Sequence, residues 1–220
     1  DWKKYEGAFK GEIPKKTGDK DMPQAFAPIP NSNNCFRGGI HFGRVKNSNP
    51  KKYVKPTQAT FNKMAAPQPK GYGIKTIVSL SSNPKTAAIS EVRAMAEKAG
   101  MKVIYNLITN LKRQPEVDRL NGNWEKIHKA ISDGNCYVHC SHGVDRTGAV
   151  VGRWLWDNAN TEYVNTSPSG RPYTEAEAYA YTIKVACGSG SGCQWKGKAD
   201  LNRHMRKWAF PNFATREGKK

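Results

Sequence analysis

An α/β fold, with a central and largely parallel sheet flanked by helices, is predicted by two observations. From Gly73 onward, apolar runs of strand length alternate with segments of helical period, the arrangement that parallel sheets require. A chain of 220 residues is also long enough to bury one substantial core without needing a second domain.

The elements follow in order. Residues 1–34 are rich in Lys, Pro, Asn and Gly, with Pro14, Pro23, Pro28 and Pro30 interrupting any regular element, so they read as an irregular basic arm over a single domain spanning 35–220. A second Pro- and Lys-rich stretch, 46–70, reads as a surface excursion. "IKTIVSL" (74–80) is a strand. In the helix after it, Asn83 caps, Pro84 sits in the first turn, Ile89, Val92, Met95 and Ala96 form the apolar face, and Gly100 is the stop. "MKVIYNLI" (101–108) is the next strand. Val117, Leu120, Trp124, Ile127 and Ile131 then recur at the spacing of one helix face, which ends at Asp133-Gly134. "CYVHC" is a third strand, and residues 145–158 form a helix so apolar that it must be buried. Thr174 with Glu177 opens a further helix as a capping box, and Leu201, Met205 and Trp208 mark the last.

Lys and Arg number 36 against 18 Asp and Glu, and the resulting net charge of +18 favours an anionic partner. No run approaches the roughly 18 apolar residues that a membrane span needs. The chain begins at Asp1, which implies a removed leader or a trimmed chain. Five cysteines cannot all pair within one chain. Cys140 is the candidate free thiol. Cys187 and Cys193 flank "GSGSG" and can close a disulfide outside the cytoplasm, while Cys35 and Cys136 either pair or fill the core. Export is favoured over a cytoplasmic location on that basis, and the oligomeric state is left open.

The stretch "NCYVHCSHGVDRTGAVVGRWLW" (135–156) carries the chemistry. Cys140 ends a strand and Arg146 begins a helix, placing both at the sheet edge where α/β proteins bind ligands. Residues 141–146 (Ser141, His142, Gly143, Val144, Asp145 and Arg146) can curl into a nest of backbone N–H groups that favours an anion. The helix N-terminus adds positive character, and Arg146 adds a fork for two phosphate oxygens. The same field lowers the pKa of Cys140 toward a thiolate, and Thr147 can donate to its sulfur. His139 is read as a structural support of the loop. Cys136, His139, Cys140 and His142 resemble a metal-ligand set only on paper, since a strand turns alternate residues to opposite faces; no metal or other cofactor is expected.

"HCSHGVDRTG" resembles the His-Cys-(any five)-Arg-(Ser/Thr) signature of the protein tyrosine phosphatase superfamily, most closely its compact dual-specificity-like branch, with the resemblance extending from "CFRGGI" (35–40) to the "TEAEA" helix. It implies a dual-specificity-phosphatase-like fold and a phosphomonoester hydrolase working through a cysteinyl-phosphate on Cys140, with Arg146 and the nest stabilising the transition state. For the general acid two residues stand. Asp118 lies in the upstream loop region "TNLKRQPEVDRL", beside Glu116; Asp145 matches branches, myotubularin-like phosphatases among them, that place an Asp just before the arginine.

Charge orders the substrates: an inositol polyphosphate such as the hexakisphosphate, as in the phytase-like branch, then a phosphotyrosine or dual-specificity phosphoprotein, then an RNA 5′-triphosphate. The RNA enzymes carry Asn where this chain has Asp145. Arg37, Lys75, Lys112 and Arg113 are candidates for the pocket rim. The competing class is a nucleic-acid or phosphate binder without turnover. Its stacking platforms would be Trp residues, yet Trp124, Trp154 and Trp208 fall on apolar helix faces.

Overall fold

The strand-length runs assemble into one mixed, mostly parallel sheet. The structure is a computed structural model and describes residues 15–81, 89–108, 113–157, 173–187 and 203–214. Its five strands are β1 (Ala27–Pro28), β2 (Phe36–Gly38), β3 (Thr76–Ser81), β4 (Lys102–Ile108) and β5 (Cys136–His139), in the order β1-β2-β5-β3-β4. Only β1 runs antiparallel, against β2; the other neighbours are parallel. Strand β5 therefore sits inside the parallel part, and all four of its residues are buried, as expected of a strand covered on both faces.

The two-residue period of the strands divides the core in two. Ile77 and Tyr137 point to one face, where they meet Phe61 and Met64 of helix α1 (Gln58–Ala65) and Val92 and Ala96 of helix α2 (Ile89–Lys98). Val78, Leu80, Cys136 and Val138 point to the other face. There they meet helices α3 (Gln114–Gly122), α4 (Trp124–Ser132), α5 (Asp145–Asp157), α6 (Glu175–Cys187) and α7 (Arg203–Ala209); a short α8 (Pro211–Ala214) follows. The expected stop of α2 is present, with Gly100 at φ +84°. Thr174 Oγ1 accepts the Glu177 N–H at 3.2 Å at the start of α6. The expected cap at Asn83 lies outside the described residues.

Three expectations need correction. Part of the irregular arm is built into the core: Met22, Phe26 and Ile29 are buried, Phe26 stacks on Phe36 with centroids 5.0 Å apart, and Ala27–Pro28 form β1. Lys63 holds this segment down by pairing with Asp19 and Asp21, each at 2.8 Å. The excursion at 46–70 contains α1, whose large buried apolar side chains are Phe61 and Met64. The single helix expected across Val117–Ile131 is two, because Asn123 adopts φ −102°, ψ 1° and donates its side-chain amide to Asn106 Oδ1 at 2.7 Å.

Residues 42–54 fold back on themselves as a hairpin. Phe42 N–H donates to Val54 O, Val54 N–H to Gly43 O and Val45 N–H to Lys52 O, each at 2.9 Å. Trp124, Trp154 and Trp208 are buried, with the Arg153 guanidinium carbon 5.1 Å from the Trp124 ring and 4.5 Å from that of Trp208. They are core residues and offer no base-stacking platform. No helix among the described residues is long and apolar enough to cross a membrane.

Candidate active site

The parallel strands β2, β5, β3 and β4 deliver their carboxyl ends to one edge of the sheet, and the loop after β5 lies along it. Gly143 makes the loop possible. It adopts φ +76°, and a Cβ there would come within 2.3 Å of the Gly38 carbonyl carbon, so a side chain fails on conformation and on space together. The first helical bond of α5, Gly148 N–H to Val144 O at 3.0 Å, starts the helix at Asp145 and leaves its N-terminus facing the loop.

Cys140 is buried beneath this loop. Burial pushes its thiol pKa up, but Arg146, the Thr147 side chain and backbone, and the Gly143 N–H outweigh that effect and hold the pKa below the usual thiol value. The Gly143 N–H reaches Cys140 Sγ at 3.3 Å. Thr147, fully buried, also contacts Gly38 O at 3.4 Å. Arg146 is fixed at the ends of two strands: Nη1 donates to Ile108 O at 2.6 Å and Leu80 O at 3.3 Å, and Nη2 to Ser141 Oγ at 3.1 Å. Ser141 Oγ in turn meets Ser81 Oγ at 3.0 Å.

His139 is buried, with Nδ1 3.2 Å from Cys140 O. Desolvation, helped by Arg146, pulls its pKa down to about 4, so the ring is neutral at physiological pH. Val144 is half-buried against the larger core, whereas His142 is exposed, its ring centroid 4.6 Å from His41 and 5.5 Å from Tyr53. Cys35, Cys136 and Cys140 are free thiols; the Cys187 side chain and Cys193 lie outside the described residues.

The two acid candidates are placed very differently. Asp145 is half-buried beside Arg146; desolvation pushes its carboxyl pKa up more than the cation pulls it down, and Oδ1 is buried with no hydrogen-bond partner among the described residues. Asp118 is exposed on α3, accepts from Gln114 Nε2 at 2.8 Å, and lines a surface cleft with Asn121, His204, Lys207 and Trp208, none of them a loop residue. An upstream position in sequence has here turned outward because α3 begins four residues earlier.

Two of the rim assignments, Arg37 and Lys75, are corrected as well. Arg37 is buried under the loop, with Nη2 donating to Gly143 O at 3.2 Å. Lys75 is exposed at the amino end of β3, the wrong end of the sheet, because it immediately precedes Thr76. Arg113 is exposed and precedes α3, and Lys112 lies outside the described residues. Residues that sequence reasoning did not place at the site are Gln24, Ser81, Tyr53 and the run Gly38–Ile40. The paired glycines after Arg37 were the available signal, since a Cβ on Gly39 would come within 2.7 Å of Ser141 O.

Comparison with known proteins agrees with this geometry. Nothing among curated proteins matches the chain. Among solved structures, the core catalytic domain of the PP-IP phosphatase SIW14 from S. cerevisiae, in complex with citrate, shares the fold at a TM-score of 0.51 and 12% identity, covering 89% of this chain and 91% of that one. TpbA from P. aeruginosa superposes at a TM-score of 0.49 with 14% identity, covering 93% and 94%. A family model described as "DSP-PTPase phosphatase fused to NAD+ Kinase" matches residues 48–183, more than half of the chain and inclusive of the whole Cys140–Arg146 loop. The chain belongs to that family of cysteine-dependent, dual-specificity-like phosphatases.

Proposed function

We propose that the protein hydrolyses phosphomonoesters of a densely phosphorylated small molecule, of the inositol polyphosphate class, through a cysteinyl-phosphate on Cys140. The thiolate attacks phosphorus, forming the S–P bond as the P–O bond to the alcohol breaks. Asp145 gives its proton to the departing oxygen. Water then attacks the phosphocysteine, passes a proton to Asp145 and releases phosphate and the thiolate, so both groups return to their starting states. Arg146 and the loop amides stabilise the charge on the equatorial oxygens in each step. Asp145 is preferred over Asp118 for the raised pKa and for an Oδ1 buried beside Arg146 and unpartnered among the described residues, both of which suit a carboxyl held protonated until the leaving group arrives.

The observation that carries the substrate class is the hairpin. Arg44, Lys46, Lys51 and Lys52 are all exposed along 44–53, and Tyr53 in the same segment packs its ring against His142 of the loop. Cations on a hairpin that touches the loop through Tyr53 suit a substrate with several phosphates, one reacting and others held at a distance. The named activity of the SIW14 neighbour, PP-IP phosphatase, is consistent with that class, although the likeness itself concerns the fold.

Phosphate release from inositol hexakisphosphate, a phosphotyrosine peptide and triphosphorylated RNA tests the reading. The expected order of kcat/KM places the hexakisphosphate first, with a rate that falls as ionic strength rises. A preference for the phosphotyrosine peptide that is insensitive to salt would overturn it.

A further inference from the structure

Three consecutive carbonyls of the phosphate loop are gripped from the same side. Ile40 N–H donates to Ser141 O at 3.1 Å, Gln24 Nε2 to His142 O at 3.3 Å, and Arg37 Nη2 to Gly143 O at 3.2 Å. In a trans peptide the N–H points opposite to the C=O of the preceding residue. Drawing these three carbonyls toward β2 therefore turns the N–H groups of His142, Gly143 and Val144 the other way. The Gly143 N–H, directed at Cys140 Sγ, shows that sense directly.

The third grip is unlike the other two. Ile40 offers a backbone amide and Gln24 a neutral side chain, but Arg37 is a guanidinium only 1% exposed. Among the described residues its Nε and Nη1 have no hydrogen-bond partner, and its guanidinium carbon lies 5.8 Å from the Tyr181 ring centroid. Burying a cation without a carboxylate is costly, by several kcal/mol in real proteins. The other polar neighbour of Arg37 is the buried Tyr181, through a side-chain hydrogen bond.

We propose that Arg37 is a positioning residue for phosphoryl transfer: by holding the Gly143 carbonyl it aims the Val144 amide at the substrate phosphate, and its charge raises the anion affinity of the loop from behind. It acts through Gly143 and does not touch the substrate. The inference rests on the cysteine-dependent phosphatase chemistry and is independent of which phosphorylated substrate is turned over.

The test uses tungstate as an oxyanion probe. In the full-length protein, labelled with 15N, the Val144 amide resonance shifts when tungstate binds; an unmoved Val144 resonance in a protein that binds tungstate overturns the proposal without any variant. With Arg37→Met and Arg37→Lys, folding is followed by circular dichroism, and Cys140 alkylation confirms that the thiol is in place. The expected result for Arg37→Met is a fall of roughly 10- to 100-fold in tungstate affinity and in kcat, since one oriented donor has been released. Arg37→Lys recovers the charge and part of the affinity. A folded Arg37→Met protein with unchanged tungstate affinity and kcat refutes the role.

Discussion

The phosphate loop has two flanks built on opposite principles. On one side, Gln24 and Arg37–Ile40 form a seat whose polar groups are directed at loop carbonyls and whose side chains are largely withdrawn from water. On the other stands the hairpin at 42–54, exposed, strongly basic, and joined to the loop through the ring contacts of His41 and Tyr53 with His142. The seat can set the direction of amides to within a hydrogen bond, which phosphoryl transfer needs. The hairpin can supply charge over a distance, which is sufficient for selecting a polyanion and insufficient for chemistry. Rate is therefore expected to depend on the seated side and substrate preference on the exposed side.

The largest effects should come from the seated side. Cys140→Ser should lower phosphate release by roughly four orders of magnitude or more while tungstate binding stays close to wild type, because the nest and Arg146 remain. Turnover retained in this variant would remove the nucleophile from the mechanism. Asp145→Asn should cost about 10²- to 10⁴-fold in kcat. The sign of the pH dependence follows from the two groups: Cys140, held low, gives the limb that rises with pH, and Asp145, held high, gives the limb that falls as its proton is lost. Asp145→Asn should abolish the falling limb and Asp118→Asn should leave it unchanged; the opposite pattern would transfer the acid role to Asp118.

Smaller effects belong to the hairpin. Lys46→Gln, Lys51→Gln and Lys52→Gln combined should raise KM for a polyphosphorylated substrate by roughly tenfold at low salt, with kcat intact, and the difference should shrink as salt screens the charges. A loss confined to kcat would erase the distinction between the flanks. The smallest effect concerns stability rather than rate. His139 is buried neutral with its pKa near 4 against 6.5 for the free side chain, so the unfolded chain binds the extra proton first as pH falls. Stability should decline between about pH 6.5 and 4, by roughly 3 kcal/mol at most for a shift of that size. Urea melts of His139→Gln should show a shallower decline over that range.

The contrast between the flanks also explains what the sequence disclosed. Cys140, Gly143, Arg146 and Thr147 fall within one run of eight residues, and strand, loop and helix follow one another without interruption, so local pattern was enough to place them. The seat is a product of topology. Arg37 and Gly143 are 106 residues apart and meet only because β2 pairs with β5, a register that no local pattern reveals. Helix α1 was hidden because two large buried apolar side chains in "QATFNKMA" make a weak period inside a Pro- and Lys-rich stretch. Asp118 looked like an acid by its position upstream, but the choice between acid and outward helix surface depends on where α3 starts and which way it is rotated. Asp145 was legible as a candidate, whereas its buried oxygen, unpartnered among the described residues, was not.

The most direct test is to quench steady-state turnover with acid and map the phosphorylated peptide by mass spectrometry. A phosphoryl group on the peptide that contains Cys140, and no such adduct in Cys140→Ser, is the predicted result. Turnover with no phosphoenzyme on Cys140, or a phosphoryl group on any other residue, would contradict it.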